Sequence, residues 1–122
     1  MKIFGKISAG VSAAALVFVA GMIYAQDVVK VAGDSHTVLL ENDQVRVLKV
    51  DVKPGQKVPM HSHPHNVAYF LTDGKIKLTL PDGKTQERDI KAGTSSWSEA
   101  ATHAAENIGS ADFQEIQIEL KK

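Results

Sequence analysis

The sequence predicts an all-β domain, a sandwich or barrel of about seven to nine short strands. Three features carry that expectation. Apolar and polar residues alternate with a period of two through most of the chain beyond residue 26. Turn-forming groups recur between those runs, at Pro54-Gly55, Asp73-Gly74, Pro81-Asp82-Gly83 and Ala92-Gly93. No stretch beyond residue 26 places apolar residues at convincing helical spacing.

Residues 28–31 and 37–40 are short runs rich in Val, Leu and Thr, expected as strands. Residues 45–52 alternate, with a change of phase between Val47 and Leu48 that predicts a bulge or a strand changing faces. Residues 66–71 form a further strand, closed by Asp73-Gly74. Ile76, Leu78 and Leu80 alternate with Lys77 and Thr79, and Pro81-Asp82-Gly83 then makes a hairpin turn with Gly83 placed for a positive φ. Residues 84–91 pair back, residues 94–98 run forward again, and Ile116, Ile118 and Leu120 alternate with Gln117 and Glu119.

The chain has 122 residues, with 14 basic and 14 acidic side chains. Hydrophobic content of 43% and charged content of 23% fit a folded globular protein and exclude a disordered one. The first 25 residues read as a secretory signal peptide: Lys2 and Lys6 form a positive end, Ala14 to Ala20 an apolar centre, and Ala25 the small residue before the cut. A retained membrane anchor is the alternative, but Ser8, Gly10, Ser12 and Gly21 dilute the apolar stretch. Cleavage leaves one domain over residues 26–122, folded in the periplasm without stable membrane association. That mature chain keeps 12 basic and 14 acidic residues, which offers no basic footprint for nucleic acid. Without cysteine, disulfides, thiolate metal sites and thiol nucleophiles are excluded.

The histidines are the chemical feature. His61 and His63 stand two apart, so on a strand both imidazoles share one face. His103 follows forty residues later. Three neutral imidazoles converging on one point suit a divalent transition metal with positions left open. Taken alone, such a pair also occurs at solvated strand ends.

The surrounding residues resemble the cupin superfamily. Its first motif, G-x5-H-x-H-x3–4-E-x6-G, is matched by Gly55, His61, His63 and Gly74, and its second by Gly93, His103 and Asn107 with a shortened loop. The resemblance implies a jelly-roll β-barrel with His61, His63 and His103 as metal ligands, Fe2+ first and Zn2+, Mn2+ or Ni2+ as alternatives. Two departures stand out. Val67 occupies the place of the family's glutamate ligand, and Glu99 and Ala101 replace the Pro and Gly of the second motif. A site of three neutral histidines keeps the full charge of its cation and acts as a stronger Lewis acid.

Other residues carry weaker expectations. Tyr69 shares the parity of Val67 and is expected inside the barrel, where its hydroxyl could orient a substrate. Trp97 is a candidate for the pocket mouth, Glu99 for the missing carboxylate, and His65 for a fourth ligand or an exposed rim residue. His36 reads as an ordinary strand or edge residue. Ser96 and Ser98, polar where a barrel strand usually carries valine or isoleucine, predict a wet pocket. Glu106 and Asn107 are expected to tie a strand end. Two functions remain open: a mononuclear metal enzyme, dioxygenase-like or otherwise oxidoreductive, acting on a small organic molecule, and a non-catalytic metal- or ligand-binding protein. A homodimer is expected, with residues 28–31 covering an exposed edge of the partner.

Overall fold

Two antiparallel sheets face each other in the computed structural model, which describes residues 26–122. The expected signal peptide lies outside the described residues. One sheet has the order β1-β2-β9-β4-β7, built from β1 (His36–Glu41), β2 (Val45–Val52), β9 (Phe113–Leu120), β4 (Asn66–Phe70) and β7 (Ser95–Ser98). The other has the order β3-β8-β5-β6, built from β3 (Lys57–His63), β8 (Ala101–Asn107), β5 (Gly74–Thr79) and β6 (Thr85–Ile90). This is an all-β domain as the alternation predicts and the jelly-roll that the resemblance implies, with β8 added where the sequence had suggested no strand.

The turns sit where glycine and proline place them. Gly55, Gly83 and Gly93 have φ values of 78°, 89° and 81°, a region costly for residues with a Cβ. Gly74 is required for a different reason, because a Cβ there would lie 2.5 Å from the Phe113 ring.

Two apolar clusters hold the sheets together. Leu48, Val50, Val52 and Val58 pack with Val28 and Ala32, while Ala68, Phe70, Ile76 and Phe113 form the second. Val28 and Ala32 belong to the N-terminal segment, and here the structure corrects the sequence. Residues 28–31 are not a strand covering a partner but one helical turn, α1 (Val28–Val31), packed on β3 and β1 of its own domain. Val28 is wholly buried there. Its β-branched neighbours favour a strand locally, but burying Val28 between two sheet edges outweighs that preference.

The phase change in β2 also has another origin. Pairing of β2 with β9 is regular throughout, from Val45 opposite Leu120 to Val52 opposite Phe113. Leu48, Val50 and Val52 face the core, and Val45 and Val47 face outward, so β2 is apolar on both sides. The irregularity lies across the ladder in β1, between Val38 and Leu40.

Asn107 closes the end of β8 as expected. Its side chain is fully buried, donates to the carbonyls of Val52 (2.8 Å) and Ala111 (2.9 Å), and accepts from the Gly109 amide (2.9 Å). Removing it orphans two carbonyls and one amide. Asn107→Ala should therefore lower unfolding free energy by about 2–4 kcal/mol in urea titration. A loss well under 1 kcal/mol would show that water replaces these bonds at about no cost.

Candidate metal centre and cavity

Strand pairing assembles the three histidines. His61 of β3 lies directly opposite His103 of β8, and His63 follows two residues on, on the same face. Ring centroids are 4.6 Å apart for His61–His63, 4.8 Å for His61–His103 and 5.5 Å for His63–His103. One ligand nitrogen from each ring lies within 4.8 Å of the others. His61 and His63 are buried, and His103 is half-buried.

Hydrogen bonds on the far side of two rings orient them. His61 Nδ1 is 2.6 Å from the Pro59 carbonyl, and His63 Nδ1 is 2.8 Å from Glu119 Oε2. Each oxygen accepts, so each Nδ1 carries a proton and Nε2 is the nitrogen left to face a ligand. Pro59 supplies its carbonyl where the β3–β8 ladder shifts register, between Val58 and His61. A residue without an N–H is tolerated at such an irregularity on an edge strand.

Glu119 is itself held. Its Oε1 accepts from Arg46 Nε at 2.8 Å, and the Arg46 guanidinium also grips Asp27 through two bonds of 2.6 Å and 3.2 Å. A chain of hydrogen bonds and ion pairs thus runs from Asp27 through Arg46 and Glu119 to His63. Sequence reasoning passed over Glu119 and Arg46, and their signal was faint: Arg46 and Glu119 interrupt apolar runs on strands that turn out to pair in register.

His36 was also missed. It is buried at the edge strand β1, with its ring 6.0 Å from His61 and 6.4 Å from His63, and its Nδ1 lies 2.8 Å from Ser35 Oγ. Burial, reinforced by the neighbouring imidazoles, holds His36 and His61 down to about 4 and His103 down to about 3. These rings are therefore neutral at physiological pH, the form that binds a metal. Three imidazoles whose nitrogens converge at this separation fit a divalent transition metal.

The histidines open onto a cavity of about 120 Å³ between the sheets. Val50, Val52, Phe70, Ile76 and Leu78 give it apolar walls, and Ser96 and Ser98 line it as the wet-pocket expectation requires. The edge strands β6 and β7 bring Arg88 and the two serines to the cavity, with Arg88 exposed.

Residues 48–118 match the family model described as the cupin domain, more than half of the chain. The chain belongs to the cupin family. No curated protein matches it. Among solved structures, a cupin domain from Bordetella pertussis is 27% identical, with a TM-score of 0.66, covering 71% of this chain and 92% of that one. A cupin superfamily protein from Desulfitobacterium hafniense is 19% identical, with a TM-score of 0.55 and coverage of 71% and 76%. The polyketide cyclase RemF from Streptomyces resistomycificus is 21% identical, with a TM-score of 0.53 and coverage of 71% and 64%. The last two show the fold alone.

In this cupin, several expectations about single residues are corrected. On β4 the inward residues are Asn66, Ala68 and Phe70, so Val67 and Tyr69 point away from the cavity. Val67 pairs with Trp97 and Ile118, and Tyr69 pairs with Ser95 and Ile116, on the outer face. Tyr69, 46% exposed, cannot orient a substrate in the cavity. The missing carboxylate is a real departure, but the residues that look inward at that place are Asn66 and Ala68. Trp97 lies outside the cavity, 54% exposed, and stacks on His65. Glu99 is exposed and bonds His65 and the Trp97 indole, so it supplies no carboxylate to the histidines. His65 takes the rim position and is no fourth ligand.

The neutral histidines set an acid limit. For His36, His61 and His103 the folded values of about 4, 4 and 3 lie below the ordinary 6.5, so the unfolded chain binds more protons in between. Stability is whole above about pH 6.5 and is lost as pH falls toward 4 and 3. Denaturant midpoints of chelator-treated protein should fall steadily across that window. A flat profile from pH 7 to about pH 4 would show that the imidazoles are not buried as neutral bases.

Proposed function

We propose that this cupin is a periplasmic, mononuclear metal protein in which His61, His63 and His103 hold a divalent transition metal, Fe2+ before Zn2+, Mn2+ or Ni2+. The reading adds dioxygenase-like or other oxidoreductive chemistry on a small organic molecule seated in the cavity. The observation that carries it is the convergence of three imidazoles, two of them with Nδ1 already engaged, at the wall of a ligand-sized cavity. When bound, an ion held by neutral ligands supplies Lewis acidity and open coordination positions. The chain's own residues orient and enclose. Glu119 holds the His63 ring in orientation, and the apolar walls keep bulk water from the histidines.

A second reading, non-catalytic binding of a metal or small ligand, is favoured by the mostly apolar lining. Export is supported by the charge pattern of residues 1–25, and by the use inside the domain of the residues that follow. The Ser62 amide donates to the Gln26 carbonyl at 2.8 Å, and Asp27 meets Arg46.

Metal content of protein purified from its own compartment tests the site, read by elemental analysis. Roughly one divalent ion per chain is expected, with His103→Ala losing it and Glu119→Gln binding about 10- to 100-fold more weakly. Ala68→Glu, aimed into the cavity, should alter the absorption spectrum of the cobalt-substituted protein, whereas Val67→Glu, aimed outward, should leave it unchanged. Absence of any bound transition metal, with His103→Ala indistinguishable, would overturn the reading.

The homodimer is proposed on a different surface from the one the sequence suggested. Val47, Val67, Tyr69, Trp97, Ile116 and Ile118 lie together on the outer face of the five-stranded sheet. A second copy applied face to face would cover them. Light scattering should give twice the chain mass, and Ile118→Lys should give a folded monomer. A wild-type monomer at high concentration would exclude the dimer.

A further inference from the structure

The inward face of β9 presents Phe113, Glu115, Gln117 and Glu119 in succession. Glu119 is fully engaged by His63 and Arg46. The two inward residues before it are not fully engaged. Gln117 is 7% exposed, and its Nε2 points to Asn66 Oδ1 at 3.5 Å. Asn66 in turn donates its own Nδ2 to the Pro64 carbonyl at 2.9 Å, so its oxygen must be the acceptor. That assignment fixes the Gln117 amide and leaves Gln117 Oε1 buried without a partner. An orphaned buried acceptor is costly, and at a cavity wall it is a vacancy for a donor.

Glu115 lies two residues away on the same face, flanked in register by Val50 of β2 and Phe70 of β4. No hydrogen bond or ion pair reaches its carboxyl among the described residues. The other titratable or charged groups facing the cavity are His36 on β1, His61 and His63 on β3, Arg88 on β6, and His103 and Glu106 on β8. None of them acts on Glu115: burial alone pushes its carboxyl up to about 7. A carboxyl in apolar surroundings without a counter-charge is a group awaiting one.

We propose that Glu115 and Gln117 form a recognition site inside the cavity for the protonated amine of a small aliphatic ligand. The proposal rests on the reading of the cavity as a ligand site, and is independent of the metal. The two residues stand about 7 Å apart along one strand face, so their side-chain tips can close on one ammonium, and neither Gln117 Oε1 nor the Glu115 carboxyl accepts from a donor among the described residues. An ammonium group brings several N–H donors and the missing positive charge. A carboxylate or phosphate ligand would be repelled by Glu115, and an apolar ligand would leave Gln117 Oε1 orphaned. A cavity of about 120 Å³ admits about four waters' volume, which restricts the occupant to a few heavy atoms. Amine binding near neutral pH drives the protonated fraction of Glu115 to ionise, and that proton goes to solvent.

The test uses protein kept metal-free with a chelator, its glutamate carboxyls labelled with carbon-13, and ethylammonium, propionate and ethanol as probes. Excess ethylammonium should lower the Glu115 titration midpoint by about one unit or more, while propionate and ethanol do not. Calorimetry should show proton release on ethylammonium binding. Glu115→Gln, close in shape, should weaken ethylammonium at least about tenfold, and Gln117→Met, which keeps the carboxyl, should weaken it about three- to tenfold. Amide spectra of both variants report that the fold is kept. A Glu115 midpoint unmoved by ethylammonium, or moved equally by propionate or ethanol, overturns the proposal. A separate cobalt(II) titration scores the histidines, so failure of the amine site and failure of the metal site give different results.

Discussion

The carboxylate of Glu119 is 2% exposed, and it lies between an imidazole and a guanidinium. Much of the site depends on that placement. A lone buried carboxylate is expensive, so Arg46 is needed to neutralise it, and Asp27 in turn engages the other side of Arg46. The chain of contacts joins β9, β2, β3 and the segment before α1. Losing Arg46 leaves the buried Glu119 carboxylate uncompensated, and the cost then falls on the orientation of His63. The carboxylate that the histidine motif lacks is thus present nearby, but on β9, where it serves a ring nitrogen.

The cavity and the outer surface follow from one inversion. On β9 the polar set Glu115, Gln117 and Glu119 faces the interior, and Ile116 and Ile118 face outward. On β4 the small residue Ala68 faces in, and Val67 and Tyr69 face out. The interior near the histidines therefore carries polar side chains on β9 beside the apolar walls. The outside of the same sheet carries apolar surface suited to another protein face. The inward face of this sheet is apolar on β2 and β4, through Leu48, Val50, Val52 and Phe70, and polar on β9 between them.

Apolar packing protects that polar face. The clusters around Leu48 and Phe70 hold the sheets together at either side of the cavity, and α1 buries Val28 between β1 and β3. At the remaining edges, β6 and β7, no helix intervenes among the described residues, and Arg88 stands exposed. The seam covered by α1, at β1 and β3, and the uncovered seam, at β6 and β7, thus lie at opposite edges of the two sheets.

The sequence by itself determined the fold class, most strand positions and the three histidines. Alternation, turn residues and the two-residue spacing of His61 and His63 are local signals, which survive without knowledge of partners. Asn107, Ser96 and Ser98 were legible for the same reason, since a polar residue in a strand needs a partner or a wet pocket. What only the tertiary structure decided is which face of each strand is inside. A period of two defines two faces but does not label them, and apolar character misleads where the interior is a polar site. That is why Tyr69 and Val67 were expected inward and lie outward, and why Glu119, Glu115 and His36 were passed over. Residues 28–31 were misjudged by a related cause: a single turn that buries Val28 depends on two strand edges, β1 and β3, which lie far apart in the chain and meet only when the domain has folded.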